Sequence, residues 1–226
     1  MTLEKALVVF SGGQDSTTCL YWAKQRFSEV SAVTFSYAQR HALEIESARK
    51  IAELAGIKHE LINLGPLFAG DSPLTSKQFA VPQYADASVL PHGLETTFVP
   101  GRNILFLTLA ANRAYVAGYK HLVIGVTQED FGGYPDCRQE FIDAMQRALS
   151  LGLDCDITIH APLQHLNKKE IVELAGTLDG CMEGLKYSTT CYNGVFPPCG
   201  SCHSCLLRER GFREAGIPDP LMRAPV

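Results

Sequence analysis

The chain has 226 residues, of which 46% are apolar and 19% are charged, and its net charge at pH 7 is −4. This length and composition predict a globular protein with one main domain and a smaller appendage. The negative charge disfavours nucleic-acid binding, so we expect a small-molecule substrate. No apolar run approaches the ~20 residues of a membrane helix, and run 6–10 is too short for a signal peptide, so we expect a cytoplasmic protein without membrane partners.

Strands and helices are predicted to alternate over the first three quarters of the chain. The strands are predicted at 7–10, 30–35, 58–64, 122–126 and 157–160. The helices are predicted at 16–27, 42–55, 103–117, about 138–149 and 168–175. Alternation in units of about 30 residues predicts an α/β fold with right-handed crossovers, a parallel sheet and helices on both of its faces.

Residues 65–99 interrupt this alternation. They are rich in Pro, Ser, Gly and Thr without a sustained period, so we predict an irregular excursion that covers the substrate. Gly56 is predicted to end the second helix in a left-handed conformation, and Asn167 with Glu170 predicts a capping box for the last helix. We divide the chain into an α/β domain at 1–176, with the irregular insertion at about 65–99, and a C-terminal metal-binding segment and helix at 177–226.

The sequence Ser-Gly-Gly-Gln-Asp-Ser at 11–16 lies between the first predicted strand and helix. In a parallel sheet this loop lies where ligands bind, and its two glycines let backbone N–H groups approach an anion. Ser11, Ser16 and Thr17 add hydroxyl donors, whereas Asp15 would repel phosphate and is suited to hold Mg²⁺. The alternative is a capped Gly-Gly turn without a ligand, but the strand before it, the helix after it and three hydroxyls favour a phosphate site.

This loop differs from two common nucleotide-binding motifs. No Gly-Lys-Ser/Thr follows it and no Gly-X-Gly-X-X-Gly is present, which argues against a kinase or GTPase loop and against a dinucleotide fold. The loop instead resembles the Ser-Gly-Gly-X-Asp-Ser loop of the ATP pyrophosphatases, the PP-loop superfamily with its adenine-nucleotide-hydrolase-like fold. The resemblance implies ATP with Mg²⁺, a loop that grips the β- and γ-phosphates, and a substrate oxygen that attacks the α-phosphorus, which is an adenylation.

Four of the eight cysteines cluster near the C-terminus with the spacing C-x7-C-x2-C-x2-C; they are Cys191, Cys199, Cys202 and Cys205. Four thiolates at this spacing are typical of a closed, structural Zn²⁺ site. An iron–sulfur cluster is the alternative, since C-x2-C-x2-C also occurs in ferredoxins. His203 could replace one cysteine, although the cysteines alone complete the shell. We predict one structural zinc per chain, which fastens the apolar-poor segment 193–204.

Two further loops, at 98–103 and 132–138, combine turn residues, an aromatic residue and an arginine at the start of a predicted helix. In the predicted fold both loops would face the nucleotide. The alternative is that Arg102 and Arg138 are solvated and that Asp136 only caps a helix.

Together these segments resemble the 7-cyano-7-deazaguanine synthase family of queuosine biosynthesis over nearly the whole chain. The matching parts are the phosphate loop, segment 35–41, segment 133–138 and the cysteine spacing. The family commonly has glycine where this chain has Ala38, and alanine disfavours a left-handed backbone. The resemblance assigns zinc to the four cysteines and assigns ATP to Phe10, Ser11, Gly12, Gly13, Gln14, Asp15, Ser16, Thr17, Thr18, Cys19 and Leu20.

The resemblance implies an ATP-dependent ligase that converts 7-carboxy-7-deazaguanine and ammonia to 7-cyano-7-deazaguanine. Two oxygens must leave through an amide intermediate, so the carboxylate and then the amide would be adenylated in one site, releasing AMP and pyrophosphate. The chain is too short for an attached glutaminase domain, so ammonia is expected free or from a partner. The resemblance also makes a homodimer plausible.

Residue roles follow from the same resemblance. Asp15 and Ser16 would act with the loop on the phosphates, while Arg102, Lys168 or Arg138 would offset charge on the α-phosphate. Tyr134 or Phe98 would stack on the base, and Asp136 would accept from its N1–H and amine. The predicted substrate contacts are Phe98, Arg102, Tyr134, Asp136 and Arg138. Cys137 is interpreted as packing, because adenylation needs no covalent step with the enzyme.

Two alternative functions remain open from the sequence. A tRNA thiolase would use the same ATP loop, but it predicts a basic surface and often an added RNA-binding domain. A non-catalytic adenine-nucleotide sensor with a zinc-fastened tail would show no pyrophosphate release.

Overall fold

A computed structural model of the chain describes residues 4–39, 43–91, 93–127 and 133–223. Its strands are β1 (Lys5–Val9), β2 (Glu29–Ser36), β3 (Lys58–Asn63), β4 (His121–Ile124) and β5 (Thr158–His160). Its α-helices are α1 (Gln14–Lys24), α2 (Leu43–Ala55), α3 (Arg102–Ala117), α4 (Gln139–Leu153), α5 (Lys168–Thr177), α6 (Cys181–Leu185) and α7 (His203–Ala215). Short 3-10 helices lie at Ala87–Val89, Pro135–Cys137 and Pro220–Arg223.

The five strands form one parallel sheet in the order β3-β2-β1-β4-β5. Strand β1 lies at the centre, with Val8 opposite Ala32 of β2 and opposite Val123 of β4. The chain first builds outward from β1 to β3 and then returns to the other side of β1 at β4. The order therefore reverses between β1 and β4, and a crevice opens beyond the carboxyl ends of these two strands.

Helices cover both faces of the sheet, as predicted. Alternate residues of β1 point to opposite sides, so Ala6 and Val8 pack in one buried cluster while Leu7 packs in another. The first cluster includes residues of α1, α2, α5 and α6, and the second includes residues of α3 and α4. The predicted α/β fold class is confirmed.

The element boundaries move by a few residues from the sequence-based predictions. Helix α1 begins at Gln14, inside the phosphate loop, and α4 continues to Leu153 before Asp154 adopts φ 49°. Between 65 and 99 the only regular element in the described residues is the 3-10 turn Ala87–Val89, which agrees with an irregular excursion. Helix α6 was not predicted, because it is a five-residue element without a usable period.

Two local predictions about chain geometry can be compared directly with the structure. Gly56 has φ 67°, the left-handed conformation expected after α2. The capping box of α5 is present: Glu170 N donates to Asn167 Oδ1 at 3.0 Å, and Asn167 N donates to Glu170 Oε2 at 2.8 Å.

Ala38 also has a left-handed φ of 58°, which costs roughly 1–2 kcal/mol for a residue with a Cβ. Arg40 and His41 of the same motif lie outside the described residues.

The C-terminal helix packs tightly on the α/β core. Helix α7 lies against α5, and at Gly211 an added Cβ would lie 2.8 Å from the carbonyl oxygen of Lys168. The absence of a side chain therefore sets the distance between these helices. The division of the chain after residue 176 remains a prediction.

We expect Gly211→Ala to lower the free energy of unfolding by about 1–3 kcal/mol, because the new methyl group overlaps backbone that cannot move freely. Urea unfolding followed by circular dichroism measures this change. Gly152→Ala is the matched control: Gly152 also lies in a helix but has no atom within 4 Å of an added Cβ, so it should be neutral or stabilising by up to about 1 kcal/mol. Equal effects in both variants would contradict the packing argument.

Candidate active site and metal centre

The loop after β1 closes tightly between two other elements. An added Cβ at Gly12 would lie 2.6 Å from Ala48 N of α2, and one at Gly125, just after β4, would lie 2.9 Å from Ser16 N. Gly12 also has φ 81°. Glycine is needed at both positions because a Cβ atom would overlap the backbone of the neighbouring element.

The hydroxyl groups of Ser11 and Ser16 form hydrogen bonds within the loop. Ser11 Oγ lies 3.1 Å from Ser16 Oγ, Gly13 N donates to Ser11 Oγ at 3.3 Å, and Ser16 Oγ lies 3.2 Å from Gly13 O. The loop therefore presents its hydroxyls and the N-terminus of α1 at the crevice between β1 and β4, which is the arrangement that favours an anion.

A cavity of about 260 Å³ opens directly from this loop. Its wall contains the loop residues Ser11, Gly13, Gln14, Asp15 and Ser16. Aromatic side chains form much of the remaining wall; these are Phe10, Phe35, Tyr37, Phe106, Tyr134 and Tyr192. A phosphate-type loop that continues into an aromatic cavity suits a ligand with a charged part and a planar ring.

The structure brings together Asp15 and Lys168, which lie 153 positions apart in the chain. Lys168 Nζ lies 2.8 Å from Asp15 Oδ2, and the lysine side chain is only 8% exposed. Asp15 Oδ1 is buried and has no hydrogen-bond partner among the described residues. The loop therefore holds one buried ion pair and one carboxylate oxygen that is still able to accept a donor or bind a cation.

Arg102 also reaches the cavity, where it neighbours Glu44 and several tyrosines. Tyr37, Tyr134 and Tyr192 lie near enough to act on the charge of its guanidinium. Burial raises the pKa of Glu44 to about 7, although the charge of Arg102 acts in the opposite direction. The carboxyl group of Glu44 and the guanidinium of Arg102 thus lie in the same part of the cavity wall, at the first turns of α2 and α3.

Tyr134 lines the cavity, and Phe98 supports it from behind. Their ring centroids are 5.4 Å apart, and the Tyr134 hydroxyl lies 2.7 Å from Thr97 Oγ1. Phe98 is not part of the cavity wall. Tyr134 therefore has a fixed ring orientation that suits stacking on a planar ligand.

Asp136 and Arg138 lie outside the cavity wall. Asp136 is 5% exposed, and its Oδ2 accepts from Asn103 N at 3.2 Å, so it caps α3 from a neighbouring loop. Burial raises the pKa of Asp136. Arg138 is exposed at the start of α4 and lies 3.7 Å from Glu140. The adjacent Gly132 lies outside the described residues.

Several cavity residues were not found from the sequence. Glu44 and Phe106 lie in ordinary amphipathic helices, and Thr189, Thr190 and Ser204 carry no motif. Thr189 reaches the site because its N–H donates to Gly12 O at 3.0 Å and its hydroxyl lies 2.6 Å from Ser47 Oγ. These placements depend on tertiary contacts, so no local signal marks them.

The four clustered cysteines form a candidate metal centre. The sulfurs of Cys191, Cys199, Cys202 and Cys205 all lie within 4.8 Å of one another. Backbone N–H groups point at two of them, since Tyr192 N donates to Cys202 Sγ and Cys202 N to Cys199 Sγ, each at 3.4 Å. Such donors stabilise thiolates, so the set fits one metal ion with four protein ligands.

His203 is not a member of this set. Its Nδ1 lies 2.9 Å from Glu95 Oε2, and both side chains are buried. Glu95 also accepts from Thr97 Oγ1 at 2.8 Å. The histidine therefore ties α7 to the end of the irregular excursion.

The parallel sheet and the loop at its reversal point define a protein of the PP-loop class. A solved complex of a 4-thiouridine synthetase with RNA and bound ATP has a similar fold, with a TM-score of 0.51 and 17% identity over 94% of this chain and 50% of that chain. The family model for "Queuosine biosynthesis protein QueC" matches residues 5–216, and the chain belongs to this family.

Three relatives, each named 7-cyano-7-deazaguanine synthase, match almost end to end. The relative from Gloeobacter violaceus is 56% identical over 98% of this chain and 97% of its own length. Those from Chromobacterium violaceum and Laribacter hongkongensis are 52% and 50% identical, each over 97% of this chain and over 93% and 94% of their own lengths. The predicted resemblance and an enzyme of this kind, acting in queuosine biosynthesis, are thereby confirmed. In the described part of the chain, no helix has the length and apolar character that a membrane crossing requires.

We expect Cys202→Ser to reduce bound metal from about one ion per chain toward zero and to lower the melting temperature, because three thiolates no longer complete the shell. Elemental analysis of purified protein and thermal unfolding measure both effects. Cys155→Ser, at a half-buried cysteine outside the cluster, is the control and should retain the metal. Full metal content in the Cys202 variant would contradict the assignment.

Proposed function

We propose that the chain converts 7-carboxy-7-deazaguanine and ammonia to 7-cyano-7-deazaguanine with two molecules of ATP. The main support is the position of the Ser-Gly-Gly-Gln-Asp-Ser loop, which lies at the sheet reversal and opens into the aromatic cavity. The relatives' shared name points to the same product.

The chemistry requires activation of two poor leaving groups. A carboxylate oxygen attacks the α-phosphorus of ATP and releases pyrophosphate, and ammonia then displaces AMP from the acyl adenylate to give the amide and one proton. The amide oxygen attacks a second ATP in the same way, and loss of a proton and AMP from the resulting imidate leaves the nitrile. Each oxygen of the carboxylate thus departs on one AMP, and no oxidant or reductant is needed.

The phosphate loop suits the pyrophosphate released in both steps. The backbone amides at the start of α1, with the hydroxyls of Ser11 and Ser16, would donate to the β- and γ-phosphates. Asp15 would hold Mg²⁺ through its unpartnered Oδ1 atom, and the ion would supply charge neutralisation at the pyrophosphate. We propose ATP contacts for the whole segment 10–20.

Two cations are available for charge that develops at the α-phosphate. Lys168 is held beside the loop by its contact with Asp15, and Arg102 projects into the cavity from the first turn of α3. Because both are fixed before substrate binds, they can stabilise the transition state with little reorganisation. Tyr134 is proposed to stack on the deazaguanine ring.

We propose that the metal held by the four cysteines is zinc. Four thiolates around one zinc ion, each at about 2.3 Å, stand roughly 3.8 Å apart, and Cys199 Sγ and Cys205 Sγ are 3.9 Å apart. In a [4Fe–4S] cluster each cysteine binds a different iron, and in a [2Fe–2S] cluster the two pairs of cysteines bind different irons, so either cluster requires a wider set of sulfurs. Four protein ligands leave no open position, so the role of the ion is structural.

The assay of this function uses purified protein with ATP, Mg²⁺, ammonium and substrate in which both carboxylate oxygens are ¹⁸O. We expect two AMP per nitrile, each carrying one ¹⁸O, with unlabelled pyrophosphate, as mass spectrometry would show. ADP and phosphate as products would contradict adenylation, and nucleotide turnover only with tRNA and a sulfur donor would favour a thiolase instead. Intact ATP under all conditions would favour a nucleotide sensor.

We further propose a cytoplasmic homodimer that uses ammonia, either free or supplied by a partner. Apolar side chains are exposed on one side of the molecule, with Val116 at 78% and Tyr115 at 52% on α3 and Leu151 at 73% on α4. Burial of such side chains against a second copy would stabilise association.

Sedimentation at micromolar concentration should therefore give twice the mass of the chain. Val116→Asp should weaken association at least about tenfold, because a charge would be buried in the interface. Val89→Asp, at another exposed valine (55%), is the control and should leave the mass unchanged. A monomeric wild-type protein would refute the dimer.

A further inference from the structure

Glu44 is a cavity carboxylate to which the proposed mechanism gives no task. It lies in the first turn of α2, and its side chain lines the cavity that begins at the phosphate loop. The acidic residues among the described cavity-lining residues are Asp15 and Glu44. Because Asp15 belongs to the phosphate loop and contacts Lys168, Glu44 is, among the residues that the structure describes, the carboxylate available to the rest of the cavity.

The surroundings of Glu44 suit a flat aromatic ligand. Phe35 and Phe106 stack with centroids 4.5 Å apart, and Tyr37 meets Phe106 at 5.4 Å. Arg102 is close enough to influence the charge of Glu44. A cation and an anion beside aromatic rings provide a polar edge and an apolar face, which together recognise a planar heterocycle.

The pairing edge of a 2-amino-6-oxo-purine is complementary to the carboxylate of Glu44 and the guanidinium of Arg102. Along that edge the exocyclic 2-amino group and N1–H are neighbouring donors, and the 6-oxo oxygen beside them is an acceptor. A carboxylate can accept from both donors at once, and a guanidinium can donate to the oxygen. Adenine has an acceptor at N1, so the same carboxylate would repel the base of ATP.

The limited solvation of the Glu44 carboxylate favours a ligand that offers two hydrogen-bond donors. Glu44 is half-buried in the cavity wall, so part of the water that would solvate its carboxylate is missing there, and Arg102 is near enough to act on its charge. Two charge-assisted hydrogen bonds from a ligand would replace that lost solvation. Asp136, the other acidic candidate, already accepts from the N-terminus of α3.

We propose that Glu44 is the specificity-determining residue that recognises the N1–H and 2-amino edge of the deazaguanine, with Arg102 donating to the 6-oxo oxygen. This inference rests on the proposed function, because it concerns the same cavity and the same substrate. It assigns base recognition to the start of α2 and leaves Tyr134 as the stacking residue.

The test compares two ligands: the substrate and an analogue that lacks only the 2-amino group. For the wild-type enzyme, kcat/KM should favour the substrate by about 10-fold to 100-fold, the usual size of a bidentate contact to a base. In Glu44→Gln this preference should collapse to within about threefold, because an amide offers one acceptor and one donor where two acceptors are needed. KM for ATP should stay within about twofold of the wild-type value.

Two further variants separate recognition from a general structural effect. Glu44→Asp keeps the charge but retracts it by one methylene, and it should restore part of the preference. Glu46→Gln makes the same chemical change at an exposed residue one half-turn away on α2, and it should behave as wild type. Melting temperatures of all variants show whether the fold is intact.

An unchanged preference in Glu44→Gln would overturn the inference, as would an equal loss of activity toward both ligands. Calorimetric binding of the two ligands without ATP gives the same comparison when no turnover occurs. If the wild-type enzyme binds substrate more tightly than the analogue, loses that preference in Glu44→Gln and forms no nitrile, the proposed reaction fails while the role of Glu44 stands. If nitrile forms but the preference does not depend on Glu44, only this inference fails.

Discussion

The close contact of three backbone segments at the phosphate loop is the constraint on which the rest of the structure depends. Gly12 lies against α2, and Gly125 at the end of β4 lies against the first turn of α1. A side chain at either position would push the loop away from the sheet reversal. Because the loop cannot move independently of β4 and α2, the donors at the start of α1 are fixed before any ligand arrives, which is the condition for electrostatic stabilisation.

The C-terminal segment completes the cavity that this loop begins. Thr189 bonds the loop through Gly12 O, and Tyr192, one residue after Cys191, forms part of the aromatic wall. Arg208 of α7 anchors the same segment, with bonds to Ser188 Oγ at 2.7 Å and to Thr190 Oγ1 at 2.9 Å. Val195 and Phe196 of this segment are exposed, so the buried Arg208 and the four cysteines, which could hold a metal ion, replace the hydrophobic packing that would otherwise hold this wall.

Much of the fold was predictable because its signals are local. The alternation of strands and helices, the capping box at Asn167 and the cysteine spacing depend on residues close together in sequence, and the structure shows each of them. The ion pair between Asp15 and Lys168 depends on two distant segments, so the sequence could suggest both residues but not their contact. For the same reason the sequence did not predict Thr189 as a cavity residue, because its place in the wall is set by its hydrogen bond to the loop.

The acidic residues show why residue type alone does not determine a role. The sequence analysis assigned base recognition to Asp136, as an acceptor for the N1–H and amine of the deazaguanine. In the structure that carboxylate lies outside the cavity wall, and its Oδ2 accepts from the N–H of Asn103 at the start of α3. Its part in base recognition stays a prediction. Glu44 lies in an unremarkable helix, yet its side chain enters the cavity with only partial compensation from Arg102. Which carboxylate faces the cavity therefore depends on long-range packing, and residue type alone does not reveal it.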